Sequence, residues 1–156
     1  MAGLEHELDA PPWKRVESTL MAMARAIRQA YEDRFARLDL NLAQASMLAF
    51  LFESGPRSQS RLAAQLGMGR ASAGLVVSAL EKRGLVERRP DPADGRTRLV
   101  ALRPAGEALV RPILEIDEIL RSELRTGISR AERQRLAALL LRLQDNLSGV
   151  LADRPD

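Results

Sequence analysis

The fold of this 156-residue chain is indicated most clearly by residues 84–103, Gly84-Leu-Val-Glu-Arg-Arg-Pro-Asp-Pro-Ala-Asp-Gly-Arg-Thr-Arg-Leu-Val-Ala-Leu-Arg103. Its two ends, 85–86 and 99–102, consist of residues that favour short strands. Between them lie residues typical of turns, because Pro presets φ, Asp tolerates turn geometry and Gly allows φ > 0. These residues are Pro90, Asp91, Pro92, Asp94 and Gly95. The stretch therefore predicts a β-hairpin with Arg96 and Arg98 near its tip and Arg88 and Arg89 at its base.

The residues before the hairpin predict three helices, at about 43–53, 59–66 and 70–83. Asn41 and Ser58 are suitable N-caps for the first two, and Gly67-Met68-Gly69 predicts the turn between the second and third. Gly84 suits the left-handed position that ends a helix. A helix-turn-helix followed by a basic hairpin is typical of a winged helix, and its expected partner is double-stranded DNA. We therefore predict a winged helix-turn-helix DNA-binding domain over residues 40–103.

The flanking segments predict a tail at 1–12 and dimerisation helices at 13–38 and 104–152. The helices themselves are expected at about 13–37, 104–125 and 130–151, with a kink at Pro112 and a capping box from Ser129 and Glu132. They carry more apolar surface than a small winged helix can cover. Burial against a second copy of the chain is the expected solution, and a self-contained monomeric bundle is the alternative. The expected dimer interface includes Leu139, Leu143, Leu147 and Val150.

The charge of the chain is concentrated in its middle. Residues 55–103 hold ten Lys or Arg against four Asp or Glu, whereas residues 1–54 hold six against eight and residues 104–156 hold eight against nine. This distribution is typical of a phosphate-binding surface between nearly neutral flanks. The predicted fold class is thus mainly α with a small β wing, a winged helix-turn-helix with N- and C-terminal dimerisation helices.

Composition argues against several other classes. The chain has no cysteine, and its one histidine, His6, lies in the predicted tail. We therefore expect no catalytic residues, no bound metal, no cofactor and no enzymatic activity. The N-terminus has no basic and apolar signal pattern, and no stretch has the roughly 18 apolar residues of a membrane span. We expect the protein to be cytoplasmic and to have no membrane partner.

Residues 40–109 closely resemble the MarR family, the multiple antibiotic resistance regulators. The matching segments are Leu-Asn-Leu-Ala-Gln at 40–44, Ser-Gln-Ser-Arg-Leu-Ala at 58–63, Leu-Gly-Met-Gly-Arg at 66–70, Leu-Glu-Lys-Arg-Gly-Leu-Val-Glu-Arg at 80–88, Asp-Pro-Ala-Asp-Gly-Arg at 91–96 and Leu-Arg-Pro-Ala-Gly at 102–106. The resemblance implies a homodimeric winged-helix transcription factor, usually a repressor that binds a pseudo-palindromic operator. It also implies release from DNA by a small, often aromatic, effector.

The resemblance implies roles for particular residues as well. Arg96 would enter the minor groove from the wing tip, with Arg98 nearby, and Asp94 would pair with a basic residue and hold the shape of the wing. The start of the predicted helix at about 59–66 would donate hydrogen bonds to phosphates. The residues there are Ser58, Gln59 and Ser60.

The predicted recognition helix departs from the family pattern. Leu75 and Ala79 stand where the family commonly has Arg, which leaves Arg70, Ser72 and Ser78 as the hydrogen-bonding candidates. Gly74 within a helix suggests a close approach to another surface, such as DNA, and Leu75 suits a thymine methyl group. The alternative is that Gly74 and Leu75 only pack. We therefore expect weak direct readout of base edges.

The candidate effector residues are Arg25, Arg28, Tyr31, Met47 and Phe50. The two arginines share a helix face and suit a ligand carboxylate, while the other three suit apolar walls. Each also fits an ordinary surface or core position. The alternative function is a winged-helix protein-interaction module without operator recognition, although the basic middle segment disfavours it.

Overall fold

A computed structural model describes residue 11 and residues 15–152. The helices are α1 (Val16–Phe35), α2 (Leu42–Ser54), α3 (Gln59–Gln65), α4 (Arg70–Lys82), α5 (Pro104–Leu124) and α6 (Arg130–Ala152), and a short 3₁₀ turn, Ala36–Leu38, follows α1. The strands are β1 (Arg57–Ser58), β2 (Val86–Pro90) and β3 (Arg98–Leu102). This confirms the predicted fold class. Except for Pro11, the predicted tail lies outside the described residues.

Local capping interactions set the helix ends where the sequence predicted them. Asn41 and Gln44 form a capping box at the start of α2, and the Ser58 hydroxyl accepts a hydrogen bond from the Arg61 amide at the start of α3. At the end of α4, Gly84 adopts φ 70°. Its amide donates to the Glu81 carbonyl, and the Leu85 amide donates to the Leu80 carbonyl. These two bonds form a Schellman motif, which reverses the chain into the wing.

The sheet has three antiparallel strands in the order β1-β3-β2. Strand β1 was not predicted, because it consists only of Arg57 and the helix cap Ser58, and two residues show no periodic pattern. Strand β2 is longer than predicted. Pro90 pairs with Arg98 and belongs to the strand instead of the turn. A proline is tolerated there because β2 lies at the edge of the sheet.

The chain divides into two compact units, one ending at Leu120 and one beginning at Arg121. The core of the first unit combines the winged-helix elements with residues from α1 and α5. Phe35 and Ile113 are buried in the same cluster as residues of α2, α3, α4 and the sheet. The fully buried side chains include Met47, Leu48, Leu62, Val77, Leu80, Val86 and Val100. Each contributes about 1.5–3 kcal/mol by leaving water.

The start of α5 is held close to the wing. The Leu85 carbonyl accepts a hydrogen bond from the Arg103 amide at 3.0 Å. A Cβ at Gly106 would lie 2.1 Å from the same carbonyl oxygen, so only glycine allows this approach. Further along, α5 continues through Pro112 as one helix.

The second unit contains α6, which begins with the predicted capping box. The Glu132 carboxylate accepts from the Ser129 amide at 2.7 Å, and the Glu132 amide donates to the Ser129 hydroxyl at 3.2 Å. Hydrogen bonds to the Glu132 carboxylate from the Ser129 hydroxyl and from the Ser129 amide favour the ionised form and lower the pKa of Glu132. Across residues 15–152, no helix combines the length and the apolar character needed to cross a membrane.

Candidate nucleic-acid interface

Helices α3 and α4 form the predicted helix-turn-helix. Gly67 adopts φ 62° directly after α3, and the Met68 amide donates to the Ala63 carbonyl at 2.9 Å. Gly69 then serves as the N-cap residue of α4, so that Arg70 is the first residue of that helix. The turn joins the end of α3 to the start of α4, and the Gln59 side chain from the start of α3 reaches the Arg70 carbonyl at 3.3 Å.

The start of α3 presents two of the three predicted phosphate donors to solvent. Ser60 is exposed and Ser58 is partly exposed, and their hydroxyl oxygens lie 3.3 Å apart. Ser58 also caps the helix, so its oxygen already accepts one backbone hydrogen bond. Its hydroxyl proton can still be donated to a phosphate oxygen.

Gln59, the third predicted donor, points elsewhere. Its Nε2 donates to the Arg70 carbonyl at 3.3 Å, and its Oε1 accepts from Arg88 Nη2 at 3.4 Å. The side chain thus lies between α3, α4 and β2. The prediction that Gln59 donates to phosphates is corrected, because its amide is engaged within the protein.

The outward face of α4 carries Arg70, Ala71, Ser72 and Leu75, all of them exposed. Leu75 is 74% exposed, so it does not pack within this chain. The contact of Leu75 with a thymine methyl group stays a prediction. A large exposed leucine in the middle of a polar and basic surface is available for contact with another molecule.

Gly74 lies against Gln59. A Cβ built on Gly74 would stand 2.9 Å from Gln59 Nε2. The close approach that the glycine suggested is real, but the neighbouring group is a side chain of α3. Gln59 thus supplies a packing partner for Gly74, and a contact of Gly74 with DNA stays a prediction.

Ser78 also faces inward. Its hydroxyl lies 3.2 Å from Arg88 Nη2, which donates to it. Arg88 further donates through Nη1 to the Glu81 carboxylate, and the Arg88 backbone amide donates to Glu81 Oε1 at 3.1 Å. Ser78 is therefore corrected from a base-contact candidate to a partner of Arg88.

The pairing of Glu81 and Arg88 was not predicted from the sequence, although a signal for it exists. Alternation along β2 places Arg88 on the same face as the buried Val86, whereas Arg89 is exposed. A cation on the inner face of a strand requires a partner. The adjacent Glu87 lies on the opposite face by the same alternation, and the next carboxylate before it in the sequence is Glu81 at the end of α4.

The wing tip is closed by its own side chains. The Asp94 carboxylate accepts from the Arg96 amide at 3.1 Å and from the Thr97 hydroxyl at 2.9 Å. Asp91 Oδ1 accepts from the Ala93 amide at 2.9 Å. Asp94 thus shapes the wing, as predicted, but through backbone and hydroxyl donors instead of a basic side chain. Arg96 and Arg98 are both exposed beside this turn.

The candidate effector residues fall in different places. Arg28 lines a cavity of about 500 Å³ together with residues of α2, the turn after α3 and α4, among them Ser46, Met68, Ser72 and Val76. Tyr31 lines a second cavity, of about 330 Å³, with Phe35, Ser46 and Asp117. The Tyr31 hydroxyl donates to Asp117 Oδ1 at 2.7 Å.

The remaining three candidates do not line these cavities. Arg25 is exposed on α1. Met47 is fully buried in the hydrophobic core, and Phe50 packs against that core. Met47 and Phe50 are therefore corrected from pocket walls to core residues.

The predicted dimer residues of α6 form an apolar stripe that the single chain leaves exposed. Leu139, Leu143, Leu147 and Val150 are between 41% and 67% exposed. They recur at spacings of three and four, which places them on one face of the helix.

An α3–turn–α4 pair, a three-stranded sheet with a basic wing and an outward face of Arg70, Ser72 and Leu75 define the class. This is a DNA-binding winged helix-turn-helix protein. A family model described as MarR family matches residues 38–97. The uncharacterised HTH-type transcriptional regulator YdgJ of Bacillus subtilis (strain 168) is 26% identical over 113 residues, which cover 72% of this chain and 69% of YdgJ.

Solved structures agree with this class. A probable transcriptional regulator from Pseudomonas aeruginosa is 34% identical with a TM-score of 0.69, over 83% of this chain and 99% of that one. BpsR of Bordetella bronchiseptica, whose DNA binding is regulated by 6-hydroxynicotinic acid, is 26% identical with a TM-score of 0.78, over 86% of this chain and 96% of that one. The chain belongs to the MarR family of transcriptional regulators.

Proposed function

We propose that this protein is a homodimeric transcriptional repressor that binds a pseudo-palindromic operator and is released from it by a small-molecule effector. The observation that carries the proposal is the pairing of two exposed basic elements. Arg70 lies at the start of the recognition helix α4, and Arg96 and Arg98 lie on the wing. A helix of this kind fits the major groove, and an arginine on a thin hairpin fits the minor groove.

The DNA contacts divide into three kinds. Ser58, Ser60 and Arg70 contact phosphates, which fixes the position of the protein on the duplex. Ser72 and Leu75 face the bases, where the exposed leucine suits a thymine methyl group. Arg96 and Arg98 read the width of the minor groove. With only one hydroxyl and one apolar side chain at the bases, most of the affinity comes from phosphates and the wing.

The exposed stripe on α6 supports a homodimer. Exposing four large aliphatic side chains to water is unfavourable, and a second copy of the chain supplies a matching apolar surface that would bury them. A two-fold dimer also presents two recognition helices, which suits an operator of two half-sites.

The cavity beside Arg28 supports an effector with a carboxylate. Arg28 supplies a cation, Ser46 and Ser72 supply hydroxyls, and Leu66, Met68 and Val76 supply apolar walls. Glu32 also lines the cavity, and its carboxylate accepts a hydrogen bond from the Leu42 amide at 3.0 Å. A small organic acid with a flat apolar body matches this combination. The DNA binding of BpsR, which is 26% identical, is regulated by 6-hydroxynicotinic acid, which is a small aromatic acid. Because Ser72 and Val76 belong to α4, an occupant of this cavity would touch the recognition helix itself.

A binding measurement tests the proposal. Fluorescence anisotropy with random duplex DNA should show affinity that falls steeply with salt, and selection from a randomised library should yield a two-fold symmetric site. The double variant Arg96→Ala/Arg98→Ala should weaken binding. A matched control, Arg37→Ala/Arg130→Ala, removes the same charge from exposed positions elsewhere. A wild-type protein without salt-dependent DNA affinity would instead indicate a protein-interaction module.

A further inference from the structure

Four polar side chains join the three elements that form the DNA interface. We call Gln59, Ser78, Glu81 and Arg88 the Arg88 cluster. Gln59 belongs to α3, Ser78 and Glu81 belong to α4, and Arg88 belongs to β2, the first strand of the wing. Arg88 donates to each of the other three residues. One guanidinium therefore links the recognition helix, the helix before it and the wing.

The cluster reaches from one end of α4 to the other. Gln59 Nε2 donates to the carbonyl of Arg70, the first residue of α4, at 3.3 Å. Glu81 lies near the last residue of the helix and accepts from both the backbone and the side chain of Arg88. Gln59 can lie across the middle of α4 because residue 74 is a glycine. The end of the recognition helix is thus bonded directly to Arg88 through Glu81, and its start is linked to Arg88 through Gln59.

The positive charge of Arg88 is paired with the Glu81 carboxylate inside the protein. Its side chain is 29% exposed, and the side chain of Glu81 is 39% exposed. An arginine that donates to a carboxylate, a hydroxyl and an amide has a fixed orientation, because the planar guanidinium allows few arrangements of its donors. Arg88 therefore differs from Arg96 and Arg98, which project into solvent.

We propose that the Arg88 cluster is a positioning device that holds the recognition helix and the wing in one mutual geometry. The recognition helix contacts the major groove of the operator and the wing contacts the minor groove. If their relative position changes, the helix and the wing cannot both make their best contacts at the same time. Operator affinity then depends on four side chains that do not touch DNA. This inference rests on the proposed DNA interface.

The variant Arg88→Met separates positioning from direct contact. Methionine keeps much of the length of the side chain and removes the guanidinium. We expect binding to the selected operator to weaken by about tenfold, a coupling size typical of a shared polar network. The slope of log affinity against log salt should stay unchanged. A slope reduced by about 0.9 for each protomer would show that Arg88 contacts a phosphate, and would overturn the proposal.

The variant Glu81→Gln tests the proposal by the sign of its effect. Removing a carboxylate next to a DNA interface strengthens binding if charge alone matters. The positioning role predicts the opposite, because the neutral amide holds Arg88 less firmly. Weaker operator binding supports the proposal, and unchanged or tighter binding contradicts it. Thermal unfolding curves establish that each variant is folded at the temperature of the binding measurement.

A double-mutant cycle on Gly74 and Gln59 gives an independent test. In Gly74→Ala the new methyl group collides with the Gln59 amide and displaces it from Arg70 and Arg88. Gly74→Ala and Gln59→Ala should each weaken operator binding. The double variant should bind no more weakly than Gln59→Ala alone, since the collision is gone. Additive losses would show that residue 74 meets DNA, and would overturn the proposal.

Failure of the inference differs from failure of the proposed function. If wild-type protein does not bind duplex DNA with a salt-dependent affinity, the interface itself is wrong. If wild type binds and Arg88→Met and Glu81→Gln bind equally well, only the positioning role is wrong.

Discussion

Asp94 and Thr97 are bonded to each other twice at the tip of the wing. The Asp94 carboxylate accepts from the Thr97 hydroxyl, and the Asp94 carbonyl accepts from the Thr97 amide, each at 2.9 Å. Both bonds lie between β2 and β3, and the exposed Arg96 lies between the two bonded residues in the sequence. The direction in which Arg96 projects is therefore set by a turn that the wing supplies to itself.

Arg96→Ala should reduce the salt dependence of operator binding. A phosphate-neutralising arginine releases about 0.9 counterions, so the slope of log affinity against log salt should shrink by about one unit for each half-site. The loss of affinity should be largest at operators with A·T-rich flanks, where the minor groove is narrow. Arg37→Ala, at an exposed position before α2, is the control with the same charge change. A wild-type slope and affinity in Arg96→Ala would contradict the wing assignment.

Asp94→Ala should weaken operator binding less than Arg96→Ala does. It removes the acceptor of the Thr97 hydroxyl and of the Arg96 amide but leaves every cation in place. Thr97→Val, which removes only the hydroxyl donor, should give a smaller effect in the same direction. The free energy of unfolding should change by less than about 0.5 kcal/mol, because the tip is exposed. Equal affinity in wild type and Asp94→Ala would show that the turn does not orient Arg96.

Leu75→Arg should change the sequence preference of the protein. Leu75 is 74% exposed on the outward face of α4, so an arginine there fits without repacking the core. A bidentate contact to guanine is worth about 1–3 kcal/mol of discrimination. Selection from a randomised library compares the preferred sites of wild type and variant. Identical preferred sites would show that residue 75 does not face the bases.

Leu143→Glu/Leu147→Glu should give a folded monomer. Both leucines are exposed in the single chain, so the carboxylates cost little there, but in a dimer they would be buried without a partner. Light scattering measures the mass, and circular dichroism measures the helix content. The matched control is Leu141→Glu, which lies on the opposite face of α6 and should remain dimeric. A dimer of Leu143→Glu/Leu147→Glu would place the interface elsewhere.

Gly106→Ala should lower the free energy of unfolding by about 1–3 kcal/mol, the usual cost of forcing atoms into a packed site. The added Cβ would lie 2.1 Å from the Leu85 carbonyl oxygen, so the start of α5 must move away from the wing. Gly149→Ala is the control. Its Cβ meets nothing within 4 Å, and the change should stabilise α6 slightly. Chemical denaturation compares both variants with wild type; equal stability of Gly106→Ala would contradict the close approach.

Local features of this protein were predictable from the sequence because their causes lie within a few residues. The cap at Asn41, the capping box at Ser129 and Glu132, and the left-handed Gly84 each depend on neighbours three or four positions away. The helices follow from apolar spacing, and the wing follows from its turn residues. Arg96 was placed near the tip of the wing from the same turn residues, whereas the sequence left Leu75 open between contact with DNA and packing.

The polar contacts between elements were not predictable. Gln59 was predicted as a phosphate donor and Ser78 as a base contact because both are polar residues of the predicted helix-turn-helix. Polar side chains at these positions fit hydrogen bonds inside the protein equally well. Their actual partner, Arg88, is 29 residues from Gln59 and 10 from Ser78. Strand β1 was missed for a related reason, because Arg57 pairs with Val100 far along the chain.

The amino-acid sequence alone predicts the order and the ends of the helices, the position of the wing and the basic character of the middle segment. The tertiary structure was needed to show which polar side chains are bonded inside the protein and which face outward. These two groups of features differ because helix capping and turn formation depend on short-range geometry. The partner of a long polar side chain depends instead on which distant elements the core brings within hydrogen-bond distance, and hydrophobic burial sets that arrangement without regard to sequence separation.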